Sequence, residues 1–454
     1  MPVSTKALSA SGLFVRWLPF LAFCTVIAHY FWFLNSHAIN IPFQDDIYYF
    51  LQFVNLVETA DSHSGAFEEW FRRYNDHRTN ASRLLVYGAY LVEGEVNFHT
   101  LTLLANLALP LILLLFYCSV RREEYRWVYL LVSALLLLNL RSYYLVLWSQ
   151  AAFAYYYVMF YAFACLFALH KVNLLKFMLA AVLCMLASFT YASGQLVWLL
   201  GLVSLLHQCL VTGRKPFIYP AMWLLVAITM LLLWHVGTSQ PTGNISPDQA
   251  HLMLPDLLID PPLHQALARY TAWFLVMLGC AFIDFSSLGA GAVGFFMIAV
   301  LSFVTVRFYK HEDIRLLLCA WFVVATVAAV CLGRAMFGSS DYILGQRYNF
   351  FSVVLMSTLT LQLQVRFKVF RTSAVYLVVM LAGMYWVWTY HHFESRLQVI
   401  MNQRYGAFNS GRFPVWGSPE PETTAIVREA IAAGIYNPPC TPFPLCETPQ
   451  TRAE

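Results

Sequence analysis

Two adjacent aspartates are the residues of this sequence best suited to do chemistry. Asp45 and Asp46 stand in the run NIPFQDDIYYFLQ, where Pro42 favours an extended backbone just before them. The apolar residues that follow, over 47–57, recur at helical spacing, so the carboxylates are placed at the N-terminus of a helix. One could serve as a general base and the other as its partner. The alternative is that one aspartate only caps the helix, a position that aspartate favours.

A cluster of basic residues follows in the same segment, in the run FRRYNDHRTNASR. Its centre is Asp76, His77 and Arg78, with further arginines on either side. Guanidinium groups bind phosphate through two parallel hydrogen bonds and stay charged. The run therefore suits a phosphate group, and anchoring in lipid headgroups is the alternative.

A third group lies far along the chain, in GRAMFGSSDYILGQRYNFFS, where Arg334 and Arg347 flank a short glycine-containing loop and Tyr348 follows. Arginines at helix ends often only extend their charge toward water. Aromatic residues also crowd the same helix ends. For these an interfacial aromatic belt is the default interpretation, with stacking on a sugar as the minority alternative: Tyr143, Tyr144, Trp148, Tyr155, Tyr156, Tyr157, Tyr191, Trp386 and Trp388.

These groups must be positioned by helices that cross a membrane. Hydrophobic residues make up 60% of the chain and charged residues 11%, against about a quarter charged in soluble domains. Long apolar runs without strict alternation indicate transmembrane helices rather than a barrel. The first run is too long for a signal peptide. We predict an all-α polytopic membrane protein with about eleven spans, near 12–34, 97–119, 127–141, 146–169, 173–189, 194–211, 217–236, 287–306, 315–333, 349–365 and 373–392.

The distribution of basic residues predicts the orientation. Short connections rich in arginine and lysine should be cytoplasmic, which puts the N-terminus inside, the C-terminal tail outside and all six lysines inside. Counting Arg269 to Ile283 as a crossing would move the basic RFYKHEDIR connection outside, so we predict that this segment is interfacial or re-entrant. Three outer segments remain that are long enough to hold a site: 35–96, 237–286 and the tail from 393.

The chain then divides into three parts. Residues 1–236 form a catalytic transmembrane module with the first outer loop, 35–96. Residues 237–392 form a second transmembrane module with outer loops 237–286 and 334–348, and 393–454 are a periplasmic tail. Eight of the ten cysteines lie in apolar runs and should only pack. Cys440 and Cys446 could form a disulfide if the tail faces an oxidising compartment. Nucleotide-binding motifs are missing, and no basic stripe suggests nucleic acid.

The three groups together resemble the GT-C superfamily of multispanning glycosyltransferases, which take sugars from polyprenyl-phosphate carriers. Asp45, Asp46 and Tyr49 match the D-D-x-x-Y that follows the first helix in that superfamily. The run Asn75 to Arg78 is similar to the N-E-H-R element of many bacterial members, with Asp76 in place of glutamate. The run Gln346 to Tyr348 is similar to their later S-R-Y element.

The resemblance implies a GT-C-like fold and an inverting hexosyl- or pentosyltransferase. Asp45 would be the base and Asp46 an assisting or orienting group. His77, Arg78 and Arg347 would bind the donor phosphate. Further binding residues expected from the same motifs are Tyr49, Asp76 and Tyr348, and Arg334 is added because it flanks the same outer loop as Arg347. Some relatives use a divalent metal, which one aspartate pair does not establish here, and no other cofactor is expected.

The implied setting is a bacterial inner membrane, with the active site periplasmic. The acceptor would be a hydroxyl of an envelope glycan or of a secreted protein such as a pilin, and membrane lipids would surround the spans. Two other functions stay open: a flippase or transporter of a lipid-linked sugar, and a membrane ligase that transfers a whole glycan. Transporters place ionisable groups inside the bundle at mid-membrane, whereas nearly all charges here lie outside the predicted spans.

Overall fold

The computed structural model describes residues 10–72, 78–211, 213, 216–235, 263–334, 344, 347–367, 374–415 and 420–439. Within these ranges the regular secondary structure is entirely helical. The first nine α-helices are α1 Ala10–His37, α2 Phe53–Glu58, α3 His63–Phe71, α4 Asn80–Glu93, α5 Phe98–Asn106, α6 Ala108–Val120, α7 Arg126–Leu137, α8 Tyr143–Val146 and α9 Ser149–Ala168. The remaining nine are α10 Leu174–Ser188, α11 Leu196–Leu210, α12 Ile218–His235, α13 Leu263–Gly279, α14 Ser287–Phe308, α15 Arg315–Arg334, α16 Asn349–Arg366, α17 Ala374–Ser410 and α18 Glu420–Ala432. A π-helix, Ile47–Gln52, leads into α2, and a 3₁₀-helix, Ala192–Gln195, leads into α11.

Seven helical stretches of the described chain are long and apolar enough to cross a membrane: Trp17–His37, Phe98–Val120, Ser149–Ala168, Ala192–Leu210, Ser287–Phe308, Arg315–Arg334 and Ala374–Ser410. Three shorter apolar helices are Arg126–Leu137, Leu174–Ser188 and Ile218–Trp234. Together with α16, these account for all eleven predicted spans. The chain is therefore an all-α polytopic membrane protein, as its sequence predicts.

Helix α9 lies at the centre of the bundle. Seventeen of its twenty residues are buried. Its own side chains are apolar on every face, and a helix of this kind packs in a core. It packs against α5, α6, α10 and α15. Its first turn meets the segment that carries Asp46, and its last turn ends beside His170.

Helices α13 and α14 form a close antiparallel hairpin. A Cβ atom on Gly279 would lie 1.9 Å from the carbonyl oxygen of Ala290, and one on Gly294 would lie 1.9 Å from that of Leu275. Glycine is therefore needed at both positions for the backbones to approach. The segment predicted to be interfacial or re-entrant, Arg269 to Ile283, is the second half of α13 and the turn after it.

The connections fall into two groups, one at each end of the bundle. At one end, which we call the Asp45 end, the Asn40 side chain accepts from Phe98 N at 2.8 Å, and Arg141 Nε donates to Ala281 O at 2.9 Å. At the other, which we call the lysine end, Lys171 Nζ lies 2.9 Å from Glu312 Oε1. The described connections that were predicted to share a side of the membrane lie together at one end.

The tail is more ordered than its proline-rich sequence suggests. Helix α17 continues without a break to Ser410, well past the predicted end of the span near residue 392. Helix α18 then packs back against the π-helix. The buried Tyr436 after it donates a hydrogen bond to Asn40 O at 2.8 Å. The tail therefore supports the segment that carries the aspartate pair.

Candidate active site

The backbone around the aspartate pair is unusual on both sides. Gln44, just before Asp45, has φ of 52°, a left-handed conformation that costs a non-glycine residue roughly 1–3 kcal/mol. Just after Asp46 the chain enters the π-helix Ile47–Gln52, five of whose six residues are buried. Strained backbone and π-helical turns persist where the surroundings hold them and are frequent at functional sites.

The Asp46 side chain is fully buried, and both of its oxygens are occupied. Oδ1 accepts hydrogen bonds from Ser149 Oγ at 2.8 Å and Gln150 N at 2.7 Å, and Oδ2 accepts from Phe43 N at 3.0 Å. Asp46 therefore caps the first turn of α9 rather than the helix that follows it in sequence. Burial raises the pKa of Asp46 to about 6, against the lowering effects of Arg404 and the three hydrogen bonds.

Arg404 is the buried cation that faces Asp46. Its side chain is 1% exposed, and its Nη1 donates to Leu147 O at 2.8 Å while Nη2 donates to Ile41 O. One guanidinium thus ties the tail end of α17 to the backbone before Asp45 and to the turn before α9. Arg404 could not be predicted as a site residue, because a lone arginine in the tail belongs to no motif.

Asp45 has different surroundings from its neighbour. Asp45 is only partly buried. No described residue donates a hydrogen bond to its carboxylate. The positive charges acting on it are those of Arg347 and Arg334. Burial raises the pKa of Asp45, and the two arginines offset part of that effect. A raised pKa favours proton uptake by the Asp45 carboxylate, and the two arginines keep it next to positive charge.

Arg347 lies among aromatic rings beside Asp45. Its guanidinium carbon is 5.3 Å from the ring centroid of Trp148 and 5.5 Å from that of Tyr348. Burial lowers the pKa of Arg347, but Tyr155, Tyr348, Tyr191 and Asp45 together raise it well above its usual value, so the side chain stays charged.

Two buried donors at this point have no partner among the described residues: Arg347 Nε and Trp148 Nε1. Buried N–H groups are nearly always hydrogen-bonded. Two unpaired N–H donors at one place, one of them on the Arg347 guanidinium, suit a ligand that carries acceptor oxygens. The sequence alone predicts Trp148 in an interfacial belt, with stacking on a sugar as the alternative.

Tyrosines complete the surroundings of Arg347. The hydroxyls of Tyr155 and Tyr191 are 3.5 Å apart, and Tyr144 also interacts with Arg347. The interfacial-belt interpretation is wrong for Trp148, Tyr155 and Tyr156, which are 3%, 4% and 1% exposed. The hydropathy of these helix ends cannot distinguish a ring facing lipid from a ring facing the bundle.

The remaining predicted site residues are placed less centrally. Tyr49 is buried and interacts with Arg83. Arg78 is buried with its guanidinium carbon 5.5 Å from the ring centroid of Trp234. Ala81 N donates to Phe189 O at 3.0 Å, which ties the Arg78 segment to the segment that carries Tyr191. Asp76, His77, Gln346, Cys440 and Cys446 lie outside the described residues.

The aspartate pair is poorly suited to hold a divalent metal. Both Asp46 oxygens already accept hydrogen bonds, and Asp45 is next to two arginines whose charge would repel a cation. In the described part of the chain, no three histidine, cysteine or acidic side chains cluster in a way that could hold a metal ion.

No model of a protein family matches the chain, and no curated protein matches it. Among solved structures it is similar to the archaeal oligosaccharyltransferase AglB from Archaeoglobus fulgidus, in complex with an inhibitory peptide and a dolichol-phosphate. The TM-score is 0.43 and the sequence identity 12%, over 94% of this chain and 61% of that one. The chain thus spans about three fifths of the length of that protein, and no residue role passes from one to the other.

Proposed function

We propose that this chain is a GT-C-type glycosyltransferase that moves a sugar from a polyprenyl-phosphate carrier to a hydroxyl acceptor. The observation that supports this most directly is the closeness of Asp45, whose carboxylate accepts no hydrogen bond from a described residue, to Arg347, whose buried Nε has no partner among the described residues. The Asp45 carboxylate can accept a proton. The Arg347 guanidinium can bind an anion that has acceptor oxygens. Transfer from a sugar phosphate to a hydroxyl supplies both.

In the proposed step, the acceptor hydroxyl loses its proton to a carboxylate oxygen of Asp45. The hydroxyl oxygen forms a bond to the anomeric carbon from the face opposite the phosphate, so the configuration inverts. The bond between that carbon and the phosphate oxygen breaks, and its electron pair stays on the phosphate. Arg347, with Arg334 beside it, stabilises the developing charge. The products are a glycoside and polyprenyl phosphate, and Asp45 later releases its proton.

Asp46 acts in this proposal by position rather than by chemistry. It accepts two hydrogen bonds from the first turn of α9, the helix that carries Tyr155, and a third from Phe43 N in the segment that carries Asp45. The resemblance of the motifs to bacterial members supports a periplasmic site in an inner membrane. It also supports an envelope glycan or a secreted protein such as a pilin as the acceptor.

The test uses the purified full chain in detergent with a synthetic polyprenyl-phosphate hexose or pentose and measures release of polyprenyl phosphate. Arg347→Ala should abolish release. Arg347→Lys should restore only part of it, because an ammonium keeps the charge but cannot form the two parallel hydrogen bonds of a guanidinium. Arg412→Ala is the matched control, since Arg412 is exposed and pairs with Glu420 at 3.6 Å on the surface. Normal release by Arg347→Ala would refute the phosphate role. Lipid translocation in vesicles without release would support a flippase instead.

A further inference from the structure

A polar cavity lies at the lysine end of the bundle, away from Asp45. Its volume is about 760 Å³, and it is lined by the α6–α7, α9–α10 and α14–α15 connections and by the end of α16. Helix α9 separates it from the proposed active site. Its 20 residues span about 30 Å at 1.5 Å per residue. The cavity is therefore a separate place, and what it binds does not depend on the proposed transfer reaction.

Positive charge dominates the wall of this cavity. Three carboxylates, Glu123, Glu312 and Asp313, face six cations. The wall therefore carries a net excess of three positive charges. The cations are Arg121, Arg122, Lys171, Lys176, Arg315 and Arg366.

Part of this charge is neutralised within the wall. Arg315 donates two hydrogen bonds to Asp313, at 2.9 and 2.7 Å, and Lys171 lies 2.9 Å from Glu312. Burial alone would raise the pKa of Asp313, but Arg315 and the nearby His170 lower it to about 2, so this partner stays ionised. Burial lowers the pKa of His170 to about 4, so this histidine is neutral near pH 7.

The cations outside those pairs are the ones available to a ligand. Arg121, Arg122 and Lys176 are exposed at the cavity. Arg366 donates through Nη2 to Asp313 O, while its buried Nε has no partner among the described residues. An orphan donor beside excess positive charge suits an anion with several acceptor oxygens.

Apolar side chains exposed beside the cavity indicate where that anion comes from. Leu174 and Leu175, next to Lys176, are 61% and 79% exposed, and Val306, near Phe308 of the wall, is 74% exposed. We propose that the cavity binds the phosphate of an anionic membrane lipid, whose acyl chains lie on these exposed residues. Basic pockets between membrane helices recognise lipid headgroups in this way.

The test compares two double variants that each remove two positive charges from the same end of the bundle. Arg121→Gln with Arg122→Gln changes the cavity. Arg307→Gln with Lys310→Gln changes exposed cations that do not line it. The purified full chain is mixed with equal phosphatidylglycerol and phosphatidylcholine, and the retained lipid is measured by native mass spectrometry. The wild type and the control pair should prefer phosphatidylglycerol, and the cavity pair should lose about tenfold or more of it.

Equal loss in both double variants would mean general attraction to the basic end and would overturn the proposal, as would no preference in the wild type. Lys176→Gln provides an independent check, with a smaller loss expected. Inorganic phosphate, tested in lipid-free detergent by its effect on thermal unfolding, distinguishes the source. Stabilisation that needs Arg121 and Arg122, with phosphatidylglycerol retention unchanged by their loss, would assign the cavity to a soluble phosphate and refute the lipid.

Discussion

Asp45 and Asp46 are neighbours in sequence with opposite surroundings. Asp46 accepts three hydrogen bonds and is fully buried, whereas no described residue donates to Asp45. The pattern D-D-x-x-Y locates the pair but cannot say which member is free, because that depends on Ser149 and Gln150, about a hundred residues away. The assignment of Asp45 as the base and Asp46 as an orienting residue remains a prediction, and the geometry is what makes it testable.

The role of Asp45 can be tested with one conservative substitution. Asp45→Asn keeps the size of the side chain but cannot accept the acceptor proton, so polyprenyl-phosphate release should fall on the order of 100- to 10,000-fold at unchanged protein level. Asp61→Asn, in the exposed part of the same loop, is the matched control and should keep full activity. Near-normal turnover by Asp45→Asn would remove the catalytic assignment.

The role of Asp46 should be measurable in the pH dependence of folding stability rather than in the rate of the reaction. A carboxyl whose pKa is about 6 when folded and near 4 when unfolded binds its proton more tightly in the folded state. Its contribution to folding stability is therefore fully present below about pH 4 and is lost as the pH rises to about 6. The change should be roughly 3 kcal/mol at most. Thermal unfolding against pH should show this decline in the wild type.

The Asp46→Asn variant isolates that effect, because an amide does not titrate. The difference in unfolding temperature between wild type and variant should vary across pH 4 to 6 and be constant above pH 7. A constant difference over the whole range would mean that Asp46 does not titrate as its burial implies.

At the scale of elements, the positions of the helices could be predicted from the sequence, but which helices pack against each other could not. Long apolar runs alone locate all eleven helices that were predicted as spans. The early outer loop also forms helical turns where its apolar residues recur over 47–57, in the π-helix with α2. The packing of α18 on the π-helix could not be predicted, because it joins segments almost 400 residues apart through Tyr436 and Asn40. The contact of Arg404 with Ile41 could not be predicted for the same reason.

Helix α18 should therefore be needed for the site, although it contributes no residue to it. Truncation after Gly411 removes the hydrogen bond of Ile435 O with Val96 N, 2.7 Å long, and uncovers the buried π-helix. We expect lower thermal stability and at least a tenfold loss of donor turnover, since a misplaced group costs rate steeply. Truncation after Pro439 keeps every described contact of α18 and is the control. Equal activity of the two truncations would show that α18 does not position Asp45.

For the whole molecule, the sequence predicts which connections share a side of the membrane, and the structure groups the described ones accordingly. Charge counting works because lysine and arginine in short connections resist translocation. It could not reveal that four of the basic segments enclose one cavity, since that requires the helices to be packed.

A topology experiment tests the orientation itself. A reporter fused after Glu95 or at the C-terminus should be active only in the periplasm, and one fused after Lys310 only in the cytoplasm. The two outer fusions test one prediction of the fold as well, because Val96 N donates a hydrogen bond to Ile435 O at 2.7 Å. A cytoplasmic C-terminus together with a periplasmic Glu95 would contradict this contact and the packing of the tail at the Asp45 end.

The two supports of the aspartate segment have a consequence for biosynthesis. The backbone before Asp45 is synthesised early, yet Arg404, which holds Ile41, comes 363 residues later and Tyr436, which holds Asn40, comes 396 residues after its partner. While the ribosome is still working on the middle of the chain, neither support exists. The aspartates therefore reach their working geometry only after translation has passed residue 436. Under the proposed function, a chain released before Arg404 lacks both supports and should lie in the membrane without transferring sugar.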